Sequence, residues 1–267
     1  MADPTPTRAG LLAGLRVQFR SIHSLIIRDM MLRYGRDNIG FLWVVIEPLI
    51  LTAGVLIMYS QIKSGYEHGT HVISMVLTGY MPLTMWRHTS NNGVFLLRRS
   101  LGVLYHRNIS LLDVFLARML LEGIGTTAAL TMVFGVLWAF DVIETVAKPG
   151  HLIAAWVLLW WLGTSVALIL AGMTEANEAT ERLVQPLQYM VVPLSGIFFM
   201  VDWMPQRMQQ VMLYNPLTNC IEFFRDGFFG DRVTTHYDVG YAVTLALVFT
   251  WIGLALLTRA RDSLSSA

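Results

Sequence analysis

The chain has 267 residues, 55% of them hydrophobic and only 14% charged, with a formal net charge of +1 and a mean hydropathy of +0.54. Soluble domains carry about 25% charged residues, so this composition is that of a polytopic membrane protein. Lys and Arg are spread over short segments, which gives no surface for nucleic acid, and the single cysteine, Cys220, excludes an intramolecular disulfide or a multi-cysteine metal site.

Between Gly10 and Gly35, apolar Leu15, Phe19, Ile22, Ile26 and Met30 recur every three or four positions among Arg16, Arg20, His23 and Arg28. This spacing predicts an amphipathic helix lying in the headgroup region of a membrane. No compact apolar core with a cleavage site precedes it, so the first span is expected to act as its own insertion signal. That span, Gly40 to Gln61, grows out of the basic stretch around Arg33, Tyr34 and Arg36 and contains an unusual Glu47-Pro48 pair. About twenty apolar residues at 1.5 Å each cross a hydrocarbon core of roughly 30 Å, and a charge beside a helix breaker marks the span as more than an anchor.

A polar loop, Lys63 to His71, leads to a second span, Val72 to Asn91, broken by Pro82 and carrying Arg87 and His88 near its far end. The loop 93–116 holds Arg98, Arg99 and Arg107. A third span, Ala117 to Phe140, a turn over 141–150, a fourth span, His151 to Met173, an acidic linker over 174–182 and a fifth span, Leu183 to Val201, follow. The segment 202–238 has aromatic-rich runs too short to span, so it is expected to be re-entrant or interfacial. Within it Asn215 and Pro216 form a helix start. Leu217, Ile221, Phe224 and Phe228 then make an apolar stripe, with Asn219, Glu222 and Asp226 on the opposite face. The sixth span, Val239 to Thr258, ends at Arg259 and Arg261. Placing both termini, the loop 93–116 with Arg118 just beyond it, and the linker in the cytoplasm collects 13 of the 19 Lys and Arg residues there, which sets the orientation.

Candidate chemistry is sparse. The only lysines, Lys63 and Lys148, follow Ile62 and Ala147, so the chain has no phosphate-binding Gly-Lys loop and any ATP must be hydrolysed by a separate subunit. An intramembrane serine protease would need Gly-x-Ser-Gly, but Pro193 precedes Ser195-Gly196 and His88, His151 and His236 sit at span ends. A glycolipid-modifying membrane enzyme would need polar catalytic groups clustered on one membrane face. The histidines form no i, i+4 pair on a span, so no metal site is expected. Glu47, Arg87 and Glu122 all fall in the inner third of their spans and are expected to meet there. Among the aromatic residues Trp43, Tyr59, Tyr80, Trp86, Trp160, Trp161, Phe198, Phe199 and Trp203, most suit interfacial belts. Tyr80 and Trp160 lie deeper, where their rings can face a sugar passing through a pore.

Three stretches, RYGRDNIGFLWVVIEPL, PLSGIFFMVDWMP and NPLTNCIEFFRDGFF, in this order and spacing, resemble the inner-membrane permeases of ATP-binding-cassette polysaccharide exporters, above all the capsular polysaccharide permeases of Gram-negative bacteria. The resemblance covers nearly the whole chain. It implies an all-α fold: an interface helix within a cytoplasmic segment 1–38, a six-span permease over 39–261 with a coupling loop 93–116 and a re-entrant segment 202–238, and a cytoplasmic tail 262–267. It further implies a homodimer, two ATPase subunits that bind ATP and Mg while this chain binds no cofactor, a lipid-linked polysaccharide substrate and periplasmic export partners. Residues implied for the substrate path are Trp43, Glu47, Tyr59, Tyr80, Trp86, Arg87, Trp160, Phe198 and Phe199. Arg98, Arg99, Leu101, Leu104, Tyr105 and His106 would couple to the ATPase, and Arg33, Tyr34 and Arg36 would line the entrance. Asn215, Pro216, Glu222, Phe224 and Arg225 would form a periplasmic gate. Permeases for O-antigen, teichoic acid, lipid or drug export are the alternatives within transport.

Overall fold

The computed structural model describes residues 8–34, 46, 50, 53–54, 57–58, 66–67, 70–94, 96 and 110–265. Trp43, Glu47, Pro48, Tyr59, Arg36 and the loop residues Arg98, Arg99, Leu101, Leu104, Tyr105 and His106 lie outside them. Eight helices are named here: α1 (Arg8–Tyr34), α2 (Val72–Asn91), α3 (Leu111–Ala139), α4 (Pro149–Ala176), α5 (Glu178–Leu194), α6 (Gln206–Leu213), α7 (Pro216–Phe229) and α8 (Val239–Ser265). A two-residue antiparallel pair, β1 (Tyr66–Glu67) with β2 (Thr70–His71), precedes α2. Leu111–Ala139, Pro149–Glu175 and Val239–Arg259 are each long and apolar enough to cross a membrane.

Local chemistry sets the helix ends. Ser110 and Asp113 form a reciprocal capping box that starts α3 at Leu111, six residues before the apolar run expected to begin at Ala117. Pro149 opens α4, Asn177 caps α5 through Ala179 N, and Asn215 followed by Pro216 opens α7 as the sequence requires. At its other end α8 continues to Ser265, past the charge at Arg259 that closes the apolar stretch.

The central element is α4, which packs against α8, α7, α2 and α5. Its Ala155, Leu159 and Leu162 join Phe224 and Phe228 of α7 and Met81 and Met85 of α2 in the main core. A second cluster joins Phe115 and Met119 of α3 to Ala167 and Ala171 of α4 and Leu257 of α8. Indole donors tie the layers: Trp156 Nε1 to Thr127 Oγ1 at 2.8 Å, Trp160 Nε1 to the Met119 carbonyl at 2.9 Å, and Trp161 Nε1 to Thr250 Oγ1 at 3.2 Å. Each of these three indoles thus keeps a partner inside the bundle.

Helix α1 rests on the start of α3. Leu25 packs with Val114 and Ala117, flanked by Ile22 and Ile26, while Gln18 donates to Asp113 (3.0 Å) and Arg118 to Asp29 (3.4 Å). Phe19, placed by its spacing on the same apolar stripe, is instead 73% exposed.

The α4–α8 contact is close because both helices carry glycine at the crossing. A methyl on Gly253 would lie 2.5 Å from Leu168 Cβ, and one on Gly172 would lie 2.5 Å from Leu256 Cβ. Overpacking of this kind costs about 1–3 kcal/mol. Gly253→Leu should therefore lower the melting temperature of the purified protein, whereas Trp251→Ala, at a position 76% exposed on the same helix, should leave it unchanged.

Candidate functional site

At the end of α5 the chain folds back on itself, and α7 holds the fold-back in place. Gly196, with φ of +73°, reverses the backbone as only glycine does without strain and turns successive carbonyls inward. Arg225 of α7 donates to them: to Gly196 O and Phe199 O at 2.8 Å and to Ile197 O at 2.9 Å. Its guanidinium also meets Glu222 at 3.1 Å, and both side chains are 0% exposed. The Glu222 carboxylate accepts in turn from Val201 N (3.4 Å) and His236 N (3.3 Å). Thr218 and Asn215 add hydrogen bonds to Leu194 O. One ion pair thereby joins the turn after α5, helix α7 and the segment before α8. Asn219, Glu222 and Asp226, on the face opposite the apolar stripe, are all buried, because the α5 turn and the segment 233–238 cover that side.

Beyond Arg225, Asp226 gathers three donors: His151 Nδ1 at 2.6 Å, Lys148 Nζ at 3.2 Å and Tyr237 OH at 3.2 Å. Burial alone would raise its pKa, but these hydrogen bonds outweigh it and hold the carboxyl below the usual carboxylate range. Lys148 also binds Asp231 at 2.9 Å; that bond first, then the one to Asp226, raises its pKa. Phe223 lies between the His151 and Tyr237 rings. The last carbonyls of α7 accept from Ala147 N and Lys148 N, which satisfies a helix end that would otherwise be unpaired. Although His151 and His236 sit at span ends, both have carboxylate partners, Asp226 and Asp202. The Ser195 hydroxyl donates to Val192 O at 2.7 Å rather than to either histidine.

At the opposite end of the bundle, α2 and α5 meet through polar groups. Gln188 donates to Ser90 Oγ at 3.1 Å and Gln185 to Asn91 Oδ1 at 3.4 Å, and the Arg87 guanidinium lies over the Tyr189 ring, 5.3 Å from its centroid. The expected meeting of Arg87 with Glu122 does not occur. Glu122 faces His88 Nδ1 at 3.4 Å, because Arg87 and His88 are adjacent on α2 and point to different neighbours, α5 and α3; Glu47 lies outside the described residues. Trp86 is buried in the core, Tyr80, Trp160, Phe198 and Phe199 are half-buried, and Phe224 is fully buried. Arg33 and Tyr34 form the last turn of α1. The pattern reading missed Tyr189, Gln185, Gln188, Asp226 and Tyr237; the one available signal was polar side chains recurring at helical spacing on α5.

Breaking a buried ion pair from one side costs about 3–5 kcal/mol. Arg225→Ala should therefore abolish a cooperative thermal transition or lower it sharply, and Glu222→Gln, which keeps an acceptor for Arg225, should lower it less. Asp226 stabilises the fold at pH values above its unfolded pKa of about 3.9, and the contribution is lost as pH falls through its lower folded value. Asp226→Asn should thus cost about 1–2 kcal/mol near neutral pH, with the difference in unfolding midpoint from the native chain closing below about pH 4.

Residues 20–229 match the ABC-2 type transporter family. The chain is similar to the capsule polysaccharide export inner-membrane protein CtrC of Neisseria meningitidis serogroup A, with 34% identity covering 94% of this chain and 95% of that protein. It is similar to the capsule polysaccharide export inner-membrane protein BexB of Haemophilus influenzae at 32% identity, covering 91% of this chain and 92% of the relative. The polysialic acid transport protein KpsM of Escherichia coli is 25% identical, covering 91% of this chain and 95% of the relative.

Proposed function

Because the chain belongs to the ABC-2 type transporter family, we propose that it is the membrane subunit of an exporter that carries lipid-linked capsular polysaccharide across the bacterial inner membrane. The observation that carries this reading is the similarity along more than nine-tenths of the chain to proteins named for capsule polysaccharide export. The chain has no phosphate-binding loop, so two partner ATPase subunits supply ATP, Mg and hydrolysis. Six spans, with both termini in the cytoplasm, complete the topology around the three long apolar helices α3, α4 and α8.

Several features support a homodimer with the path at its centre. Leu183, Leu187, Met190 and Leu194 form one exposed stripe along α5, with the spacing of a helix face that requires a partner. A second copy covers this face, and the first span, with Trp43, Glu47 and Tyr59, completes the wall. Arg87, held over Tyr189, and Arg33, Tyr34 and Arg36 stand at the cytoplasmic mouth. The α6–α7 hairpin, with Asn215, Pro216, Glu222, Phe224 and Arg225, closes the outer end, where periplasmic export partners receive the chain.

Drive enters through the loop 93–116, whose Arg98 to His106 portion meets the ATPase. The loop leads into the capped start of α3, and α1 is seated on that same turn by the Arg118–Asp29 pair and the Gln18–Asp113 bond. A push on the loop therefore reaches α1, and through it the first span.

Deleting the gene in its host should remove surface polysaccharide, with the wild-type gene restoring it and the product co-purifying with its ATPase; retention of the polysaccharide after deletion would refute the proposal. Within the restored strain, Arg118→Glu should reduce export at normal protein level, and adding Asp29→Arg should recover part of it. Export by Arg118→Glu at the wild-type rate would show that the α1–α3 pair plays no part in transmission.

A further inference from the structure

We infer that the cleft between α6, the segment 233–238 and the first turn of α8 is a saccharide subsite that takes an uncharged pyranose unit. It rests on the polysaccharide-export reading, which places this end of the bundle on the outer side of the membrane.

The cleft, open to the surface, has a volume of about 460 Å3, inside the range of roughly 300–1,000 Å3 typical of small-ligand sites. Its floor is fixed. The Asn219 amide donates to Leu213 O (2.7 Å) and Asn215 O (3.1 Å), and its oxygen accepts from Asp238 N (2.8 Å). Its rim is fixed as well: Tyr241 OH donates to Tyr214 O (2.8 Å), and Asp238 Oδ1 accepts from Tyr241 N (2.9 Å). The fold consumes these groups.

Against that frame stand groups the fold does not consume. The Gln210 amide and the Thr235 hydroxyl line the cleft and have no hydrogen-bond partner among the described residues. The Tyr214 ring, 74% exposed, stands on the rim and contributes to the fold through its backbone carbonyl. An open aromatic face beside an amide, a hydroxyl and a carboxylate edge matches a pyranose, whose C–H face packs on a ring while its hydroxyls both donate and accept. The Asp238 carboxylate accepts well from paired sugar hydroxyls and repels an acidic sugar, which selects the uncharged unit. A tyrosine serving only as an interfacial belt residue needs none of these neighbours.

Two measurements test the inference on the full chain. In nanodiscs, saturation-transfer NMR with maltose and chitobiose as probes should show contact with the wild-type protein. Losing an aromatic contact of this kind weakens apparent affinity about fivefold, so the signal should fall by that order in the Gln210→Ala/Tyr214→Ala double variant. It should persist in Trp251→Ala and be weaker with glucuronate. No transfer to either disaccharide, equal transfer to the double variant, or equal transfer to glucuronate overturns the inference. In the deletion strain, failure of the wild-type gene to restore surface polysaccharide would undo the export reading itself. Restoration by the wild type together with undiminished export by the double variant, at equal protein level, would undo the subsite alone.

Discussion

The Arg225–Glu222 pair is the interaction on which the hairpin end of the molecule depends. A guanidinium with no exposed surface is costly to bury, and a single carboxylate does not offset that cost. Three carbonyls from one reversed turn do, and they converge only because Gly196 takes a left-handed conformation directly after α5. Glu222 then spends both oxygens on backbone donors from segments on either side. Turn, hairpin and the approach to α8 therefore stand or fall as one body. A methyl on Gly79 would come 2.2 Å from the Ile197 carbonyl, so α2 also presses against the same turn.

The rest of the bundle faces a related problem, that of carrying polar side chains in apolar helices. Thr78, Thr84, Thr89, Thr126, Thr164, Thr174 and Thr250 each donate to a carbonyl one turn back. Such back-bonding keeps these hydroxyl donors satisfied inside apolar helices. The indoles of α4 reach across to α3 and α8 for the same reason. The polar content of this chain is thus largely structural, and the groups left open at the hairpin end stand out against it.

How much of this was legible in the sequence depends on the range of the forces involved. Helices α3, α4 and α8 follow from hydropathy, and the start of α7 follows from Asn215-Pro216, because both signals are local. The ends of α3 and α8 differ from the apolar runs because a capping box and helix continuity, not hydropathy, decide where backbone hydrogen bonding begins and stops. The fifth span, expected to run from Leu183 to Val201, ends as a helix at Leu194, where Pro193 and Gly196 prevent continuation. The burial of Glu222, Arg225 and Asp226 was not legible at all. It is imposed by carbonyls almost thirty residues away in the chain and by the lysine and histidine at the start of α4, and no periodicity within α7 encodes it.

These forces divide α5 into unequal halves. Its C-terminal end is continuous with the turn caged by Arg225, whereas its middle, from Gln185 to Tyr189, meets α2 through two side-chain hydrogen bonds and one cation–ring contact. Contacts of that kind are worth about 1 kcal/mol each and exchange readily with water. Pro186 and Pro193 lie inside the helix and remove two of its internal hydrogen bonds, which lowers the cost of bending between the halves. On the export reading, a push on this region would separate α5 from α2 more readily than it would open the turn caged by Arg225.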